Sequence, residues 1–169
     1  MSATQRIERL VAPEFSADLG GRDLEALREM RAECGAVEHA VSYTRRLAQG
    51  RFEILSAERD RRERGGSVRD LVADLPRILG DERGRSSAPN ARLTEVDEPV
   101  VEIDWGPRGR LNADDSLVNL DGLGDDELVS LVGALNDFER ELSELRRDLH
   151  RVLDAIELEI ATRAAADVG

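Results

Sequence analysis

Apolar positions recur at alternating steps of three and four residues over two long stretches of the chain. In the first stretch they are Leu27, Met30, Cys34, Val37, Val41, Thr44, Ala48 and Leu55, with a break at Arg51. In the second they are Leu128, Leu131, Leu135, Phe138, Leu142, Leu145, Leu149, Val152 and Ile156. This spacing is the heptad pattern of helices that pack along a narrow apolar seam. It predicts two long helices, over residues 22–64 and 125–166, each roughly 60 Å long at ~1.5 Å per residue.

Glycine and acidic residues predict the ends of both helices. Gly65-Gly66 follows the first helix, where glycine supplies the left-handed conformation of a C-terminal cap. Gly124 precedes the second helix, and Asp125 or Asp126 is the expected N-terminal cap. The predicted fold is all-α, an antiparallel two-helix coiled-coil hairpin.

The remaining segments carry helix-breaking residues. Residues 1–21 contain Pro13 and two adjacent glycines, which predict a flexible N-terminal arm. The connection, residues 65–124, begins with a short amphipathic helix over 67–79, which Pro76 should bend or end early. Glycine and proline then predict a loop over 80–120, with one strand around Val100 to Trp105.

Composition limits the classes of function. Only 3% of the 169 residues are aromatic and 36% are charged, which favours helical seams over a thick globular core. All 24 basic residues are Arg, yet the net charge is -12, so direct binding of nucleic acid is not expected. An acidic chain can instead bind the basic surface of another protein.

Cellular location is predicted from cysteine usage and hydropathy. Cys34 is the single cysteine, so no internal disulfide can form. The N-terminal residues do not resemble a signal peptide, and there is no apolar run of about 18 residues. We expect a cytoplasmic protein that does not associate with membranes.

One polar pattern occurs twice with identical spacing. The first copy consists of Glu38, Ser42, Arg45, Gln49 and Glu53, and the second of Glu139, Ser143, Arg146, His150 and Asp154. With Cys34 and Leu135 as heptad a positions, both copies lie at e, b, e, b and f. Each copy therefore lines the same flank of its seam. Glu53 lies 11 residues before Arg64, the predicted end of the first helix, and Glu139 lies 11 residues after Leu128, the first seam residue of the second. A hairpin with that register pairs core residues whose numbers add to 193, such as Val37 with Ile156, and places the two copies level in one groove.

The side chains of the two copies suit a guanine nucleotide. Arg can bind guanine O6 and N7 or stack on a base, and a carboxylate can accept from guanine N1–H and the amino group. The alternative is an ordinary solvated helix face with weak side-chain pairs, in a ligand-independent coiled-coil adaptor. An enzyme is the less favoured reading, because a helical di-metal site needs Glu three residues before His. Neither His39 nor His150 has that residue.

At these residues the chain resembles the RsiG family, actinobacterial anti-sigma factors that respond to cyclic di-GMP. The family pattern is E-x3-S-x2-R-x3-Q-x3-D on each helix, and here the copies read EHAVSYTRRLAQGRFE and ERELSELRRDLHRVLD. The stretches DLEALREMRAECGAVEHAVSYTRRLAQGR and LDGLGDDELVSLV are also similar to family segments. The resemblance covers both long helices and does not extend to residues 80–120.

The resemblance implies a ligand, a partner and roles for the motif residues. The family binds an intercalated dimer of cyclic di-GMP and holds a WhiG-type sigma factor of the flagellar class, which controls sporulation genes, in a 1:1 complex. Arg45 and Arg146 would then contact guanine or phosphate, and the four carboxylates would accept from guanine edges. The Ser, Gln and His positions would supply the other polar contacts. Glu53 stands where the family has Asp, and His150 stands where it has Gln. Both side chains can still form hydrogen bonds, but they differ from the family's residues in length and in the groups that they offer.

Overall fold

The computed structural model describes residues 3–66, 68–78, 98–113, 117 and 120–166, and they confirm the all-α helical hairpin. The helices are α1 (Ala3–Val11), α2 (Leu24–Arg64), α3 (Val68–Ile78), α4 (Arg110–Ala113) and α5 (Asp125–Ala166). Single 3-10 turns occur at Pro13–Phe15, Gly106–Gly109 and Leu120–Gly122. None of the described helices is long and apolar enough to cross a membrane.

The chain divides into two compact units, and both long helices contribute to each. The terminal unit contains residues 1–43, 98–105 and 141–169, and the connection unit contains residues 44–97 and 106–140. Within each unit, one half of α2 packs against one half of α5 that runs in the opposite direction.

Most of the buried apolar residues of α2 and α5 belong to the predicted seam. In the terminal unit they include Leu27, Cys34, Val37, Val41, Leu142, Leu149, Val152 and Ile156. In the connection unit they include Ala48, Leu55, Leu128, Val132, Leu135 and Phe138. Of these fourteen residues, Val132 is the one that the heptad pattern does not predict. The heptad pattern therefore identifies the face that each helix buries.

Backbone hydrogen bonds and caps define the ends of α2. At its start, the Asp23 carboxylate accepts a hydrogen bond from the Ala26 amide at 2.7 Å, as an N-terminal cap does. At its end, Gly65 has φ +69°, the left-handed conformation that glycine adopts without steric cost. The Gly66 amide donates to the Arg61 carbonyl at 3.0 Å, which completes a Schellman motif. The predicted C-terminal cap is confirmed.

The helix α5 begins at Asp125 as predicted, but its N-terminal cap differs from the predicted one. Gly124 is the residue whose carbonyl accepts the first helical hydrogen bond, from the Leu128 amide at 2.9 Å. Asp125 lies in the first turn, and its carboxylate accepts from Arg62 at 2.7 Å. The prediction of Asp125 or Asp126 as the cap is wrong, because Asp125 is held by α2 rather than by its own helix.

The N-terminal residues form a helix, where the sequence predicts a flexible arm. In α1, Ile7 and Leu10 are one turn apart and buried, with exposed fractions of 7% and 0%. Arg9 of α1 also forms an ion pair with Glu33 of α2. Pro13 disfavours helical geometry at the residue before it, which agrees with the end of α1 at Val11. The proline therefore limits this helix and does not prevent it.

Two predictions for the connection are also wrong. The helix α3 continues past Pro76 to Ile78, because a proline this close to the C-terminus costs few helical hydrogen bonds. Residues 98–105 contain no strand, since no other described strand is present to pair with them. They nevertheless alternate, with Val101, Ile103 and Trp105 half-buried. The predicted loop over residues 80–97 lies outside the described residues.

Candidate functional site

In the terminal unit, Glu38 is the centre of a polar cluster formed by both motif copies. Its carboxylate accepts hydrogen bonds from the Ser42 hydroxyl at 2.7 Å and from Arg146 Nε at 3.1 Å. His150 Nε2 lies 3.1 Å from the same oxygen. Ser42 of the first copy and Arg146 and His150 of the second therefore all contact the Glu38 carboxylate.

The same contacts determine the ionisation of Glu38. Burial raises the pKa of this carboxyl group, but the hydrogen bonds from Ser42, Arg146 and His150 together outweigh burial. The pKa of Glu38 is consequently lowered from its ordinary value. The cluster contains a carboxylate that stays ionised and is an acceptor for several donors at once.

In the connection unit, Arg45 joins the second copy to the rest of the first. Arg45 Nη1 donates to Glu139 Oε1 at 3.1 Å and to Gln49 Oε1 at 2.8 Å. Gln49 Nε2 in turn donates to Glu53 Oε1 at 3.2 Å. The Nε atom of Arg45 is buried without a hydrogen-bond partner in the structure. This side chain therefore retains a donor for a further acceptor.

Each unit contains the same kind of contact between copies. Glu38, the first residue of the first copy, pairs with Arg146, the third residue of the second copy. Glu139, the first residue of the second copy, pairs with Arg45, the third residue of the first. Eight of the ten predicted site residues take part in these two clusters. Of the other two, Ser143 is half-buried and Asp154 is exposed on α5.

The contacts give each unit a different register from the predicted one. In the terminal unit the Cys34 thiol lies 3.8 Å from the Leu149 carbonyl, and these residue numbers add to 183. In the connection unit Arg45 contacts Glu139, whose numbers add to 184. These sums are nine to ten residues below the predicted 193, so the predicted register is wrong by about 14 Å along a helix at ~1.5 Å per residue. In this register the first residue of one copy meets the third residue of the other, where the prediction placed the two copies level.

A buried charge network at the end of α2 explains the difference and was missed by the sequence reasoning. Glu58 is fully buried, and Arg61 and Arg62 donate to it at 2.6–2.7 Å. Arg62 also donates to the carbonyls of Leu120 and Leu123, each at 2.7 Å. These bonds fix where α5 begins relative to α2. A signal was present, because Glu58 occupies a heptad d position where an apolar residue is expected.

Arg51, the charged residue that interrupts the first seam, binds the connection. Its Nη1 donates to the backbone carbonyl of Asn112 at 3.0 Å. The side-chain amide of Asn112, Nδ2, donates to the Thr44 carbonyl at 3.3 Å. At ~100° per residue, Arg51 points about 160° away from Gln49 around α2. The helix α4 therefore packs on the side of α2 opposite to the motif.

Comparison with known families matches part of the chain. Residues 13–79 match the model of a family described as RsiG-like. This segment is RsiG-like. It contains the whole first copy of the motif, together with α3, while the second copy lies beyond the matched residues. None of the curated proteins matches the chain. The RsiG-like segment thus supplies both the Arg45–Gln49–Glu53 chain and the Glu58 network.

Proposed function

We propose that the chain is a cytoplasmic anti-sigma factor of the RsiG type that binds cyclic di-GMP on both motif copies and holds a WhiG-type sigma factor inactive. The observation that carries the proposal is the reciprocal pairing of Glu and Arg between copies, Glu38 with Arg146 and Glu139 with Arg45. The RsiG-like match over residues 13–79 supports the family assignment on which the ligand and partner rest.

The paired groups are those that a guanine nucleotide requires. A guanidinium can donate to guanine O6 and N7 or to phosphate, and a carboxylate can accept from N1–H and the amino group. In the free protein these groups hydrogen-bond to each other, so the ligand must exchange those bonds for its own. Arg45 offers its unpartnered Nε as an additional donor. The role we propose is regulatory rather than catalytic.

Partner capture would be linked to the ligand. We propose that cyclic di-GMP binds more tightly in the sigma complex than to the free chain. By linkage, the nucleotide then tightens sigma binding by the same factor. The net charge of -12 would speed encounter with a basic sigma surface. One chain carries both copies, so we expect a 1:1 complex with the sigma factor.

The same ion pairs also favour a second candidate, a ligand-independent coiled-coil adaptor. Glu38 pairs with Arg146, and Arg45 pairs with Glu139, without any ligand. Side chains that only stabilise the pairing of two helices would do the same. The two candidates differ in what removal of the arginines does to nucleotide uptake.

Calorimetric titration with cyclic di-GMP, with and without a WhiG-type sigma factor, separates them. We expect the double variant Arg45→Ala and Arg146→Ala to lose at least about a hundredfold in nucleotide affinity, as two charge-assisted contacts are removed. It should also lose nucleotide-dependent sigma capture.

The matched control is Arg46→Ala with Arg147→Ala, which removes the neighbouring exposed arginine from each copy. Sigma capture that is unaffected by either double variant would support the adaptor. If the wild-type chain takes up no nucleotide at micromolar concentration in either preparation, the ligand assignment is wrong.

A further inference from the structure

A pocket in the connection unit begins at the last residue of the first motif copy. It has a volume of about 400 Å³, within the range of ligand-binding pockets, and lies between the end of α2 and α3. Phe52, Glu53 and Ser56 of α2 line one side, and Asp74 and Ile78 of α3 line another. No motif residue other than Glu53 lines it.

We propose that this pocket is a guanine-base subsite that selects the nucleotide bound by the first copy. The proposal rests on the proposed function and extends the site beyond the repeated motif. The ligand would reach it along the hydrogen-bonded chain from Arg45 through Gln49 to Glu53, whose links measure 2.8 and 3.2 Å. Ser56 lies one turn further along α2.

Ser56 indicates that the pocket is built for a polar group. Its hydroxyl oxygen is buried and has no hydrogen-bond partner in the structure. A buried hydroxyl without a partner is uncommon, because the group loses its hydration without compensation. Because Ser56 lines the pocket, a base seated there would lie beside the side chain whose hydroxyl lacks a partner.

The other lining groups favour the edge of guanine over a phosphate. Phe52 and Ile78 provide apolar surface for the face of a base. Glu53 and Asp74 provide carboxylates, which accept from guanine N1–H and the amino group and repel phosphate. Arg61 and Arg64 also line the pocket, but Arg61 donates to Glu58 and to the Gly66 carbonyl, and Arg64 Nε donates to the Asp60 carbonyl. Adenine has an acceptor at N1, so the same carboxylates disfavour it.

The second copy offers no equivalent. With the copies aligned at their fixed spacing of 101 residues, Leu153 and Glu157 occupy the places of Phe52 and Ser56. The subsite therefore belongs to the first copy and lies within the RsiG-like residues 13–79. The two copies of the motif are equivalent in sequence pattern and unequal in what surrounds them.

Calorimetry with a pocket-filling variant tests the subsite. We expect Ser56→Leu to weaken cyclic di-GMP binding about tenfold, because the added side chain occupies the base position and removes the hydroxyl. Ser130→Leu, at an exposed position of α5, makes the same chemical change outside the pocket and should bind as wild type does. Circular dichroism verifies that both variants remain helical.

A second variant tests selection and does not depend on the folding of the first. Asp74→Asn, at an exposed position of α3, should lower the preference for cyclic di-GMP over cyclic di-AMP about tenfold. If the wild type binds nucleotide and both variants bind it with unchanged affinity and preference, the subsite is refuted while the proposed function stands. If the wild type binds no nucleotide, both fail. If Ser56→Leu binds nucleotide normally but no longer captures the sigma factor, the pocket holds the protein partner and the subsite is refuted.

Discussion

Two glutamates among the described residues are held in their ionised form by hydrogen bonds. Hydrogen bonding from Arg61, and then from Arg62, lowers the pKa of Glu58 although its burial opposes this. The pKa of Glu38 is lowered as well, where donors from both motif copies outweigh burial. A carboxyl group whose pKa is lower in the folded than in the unfolded chain stabilises the fold above its unfolded pKa. That contribution is lost as the pH falls through the folded pKa.

Glu38→Gln should therefore make the protein less sensitive to acid. At neutral pH the variant should be less stable than wild type, and the difference should shrink as the pH falls below the ordinary glutamate value of 4.5. Thermal unfolding followed by circular dichroism at a series of pH values measures this. Glu63→Gln is the control, because the Glu63 side chain is 70% exposed. A difference between wild type and Glu38→Gln that stays constant with pH would contradict the assigned contacts.

At the scale of the helices, Arg62 connects the last turn of α2 to the first turn of α5. It donates to Glu58 of its own helix, to the Leu120 and Leu123 carbonyls, and to Asp125. Heptad periodicity predicts that the two helices pack, and it says nothing about such a connection. The position of α5 along α2 depends on these bonds between charged groups and backbone carbonyls.

Arg62→Ala should destabilise the fold by about 2 kcal/mol, because the buried Glu58 loses one of its two arginines and two carbonyls lose a donor. Urea unfolding measures the loss, and hydrogen exchange should increase for the backbone amides at the start of α5. Arg59→Ala is the matched control in the same turn of α2. Its side chain is 39% exposed and pairs with Asp60 and Glu63, so we expect a loss of at most ~1 kcal/mol. An equal loss in the two variants would argue against the role of Arg62.

At the scale of the whole chain, the register of the hairpin decides which residues of the two copies can meet. In the connection unit Arg45 is the partner of Glu139, whereas the predicted register would place Glu139 opposite Glu53. A seam of Leu, Val and Ala that repeats every seven residues buries similar apolar surface after a shift of one heptad. Polar contacts must therefore select between the alternatives.

Thiol cross-linking distinguishes the two registers. The pair Arg45→Cys and Glu139→Cys should be joined rapidly by a short bifunctional reagent, and the pair Glu53→Cys and Glu139→Cys slowly. Native Cys34 should not interfere, because burial, with Glu33 and Glu38 nearby, raises the pKa of its thiol to about 11. Faster joining of the second pair would favour the predicted register.

Local patterns in the chain specify most of the helical framework. Seam residues such as Leu55 and Leu149 are buried as predicted, and Gly65 ends α2, because burial and capping depend on a few neighbouring residues. The repeated motif is likewise visible in the sequence, since its spacing places each copy on one helix flank. Every feature of this kind is set within a few turns of one helix.

Contacts between distant segments account for what the patterns do not specify. The pairing of Arg45 with Glu139 in the connection unit follows from a register that Glu58, Arg61 and Arg62 select at the end of α2. The helix α1 buries Ile7 and Leu10 and pairs Arg9 with Glu33 of α2, and the pocket at Ser56 exists because α3 packs beside it. Several arrangements of the helices would bury similar apolar surface. Hydrogen bonds of charged side chains, such as those from Arg62 to the Leu120 and Leu123 carbonyls, select among them, and the heptad pattern does not specify these partners.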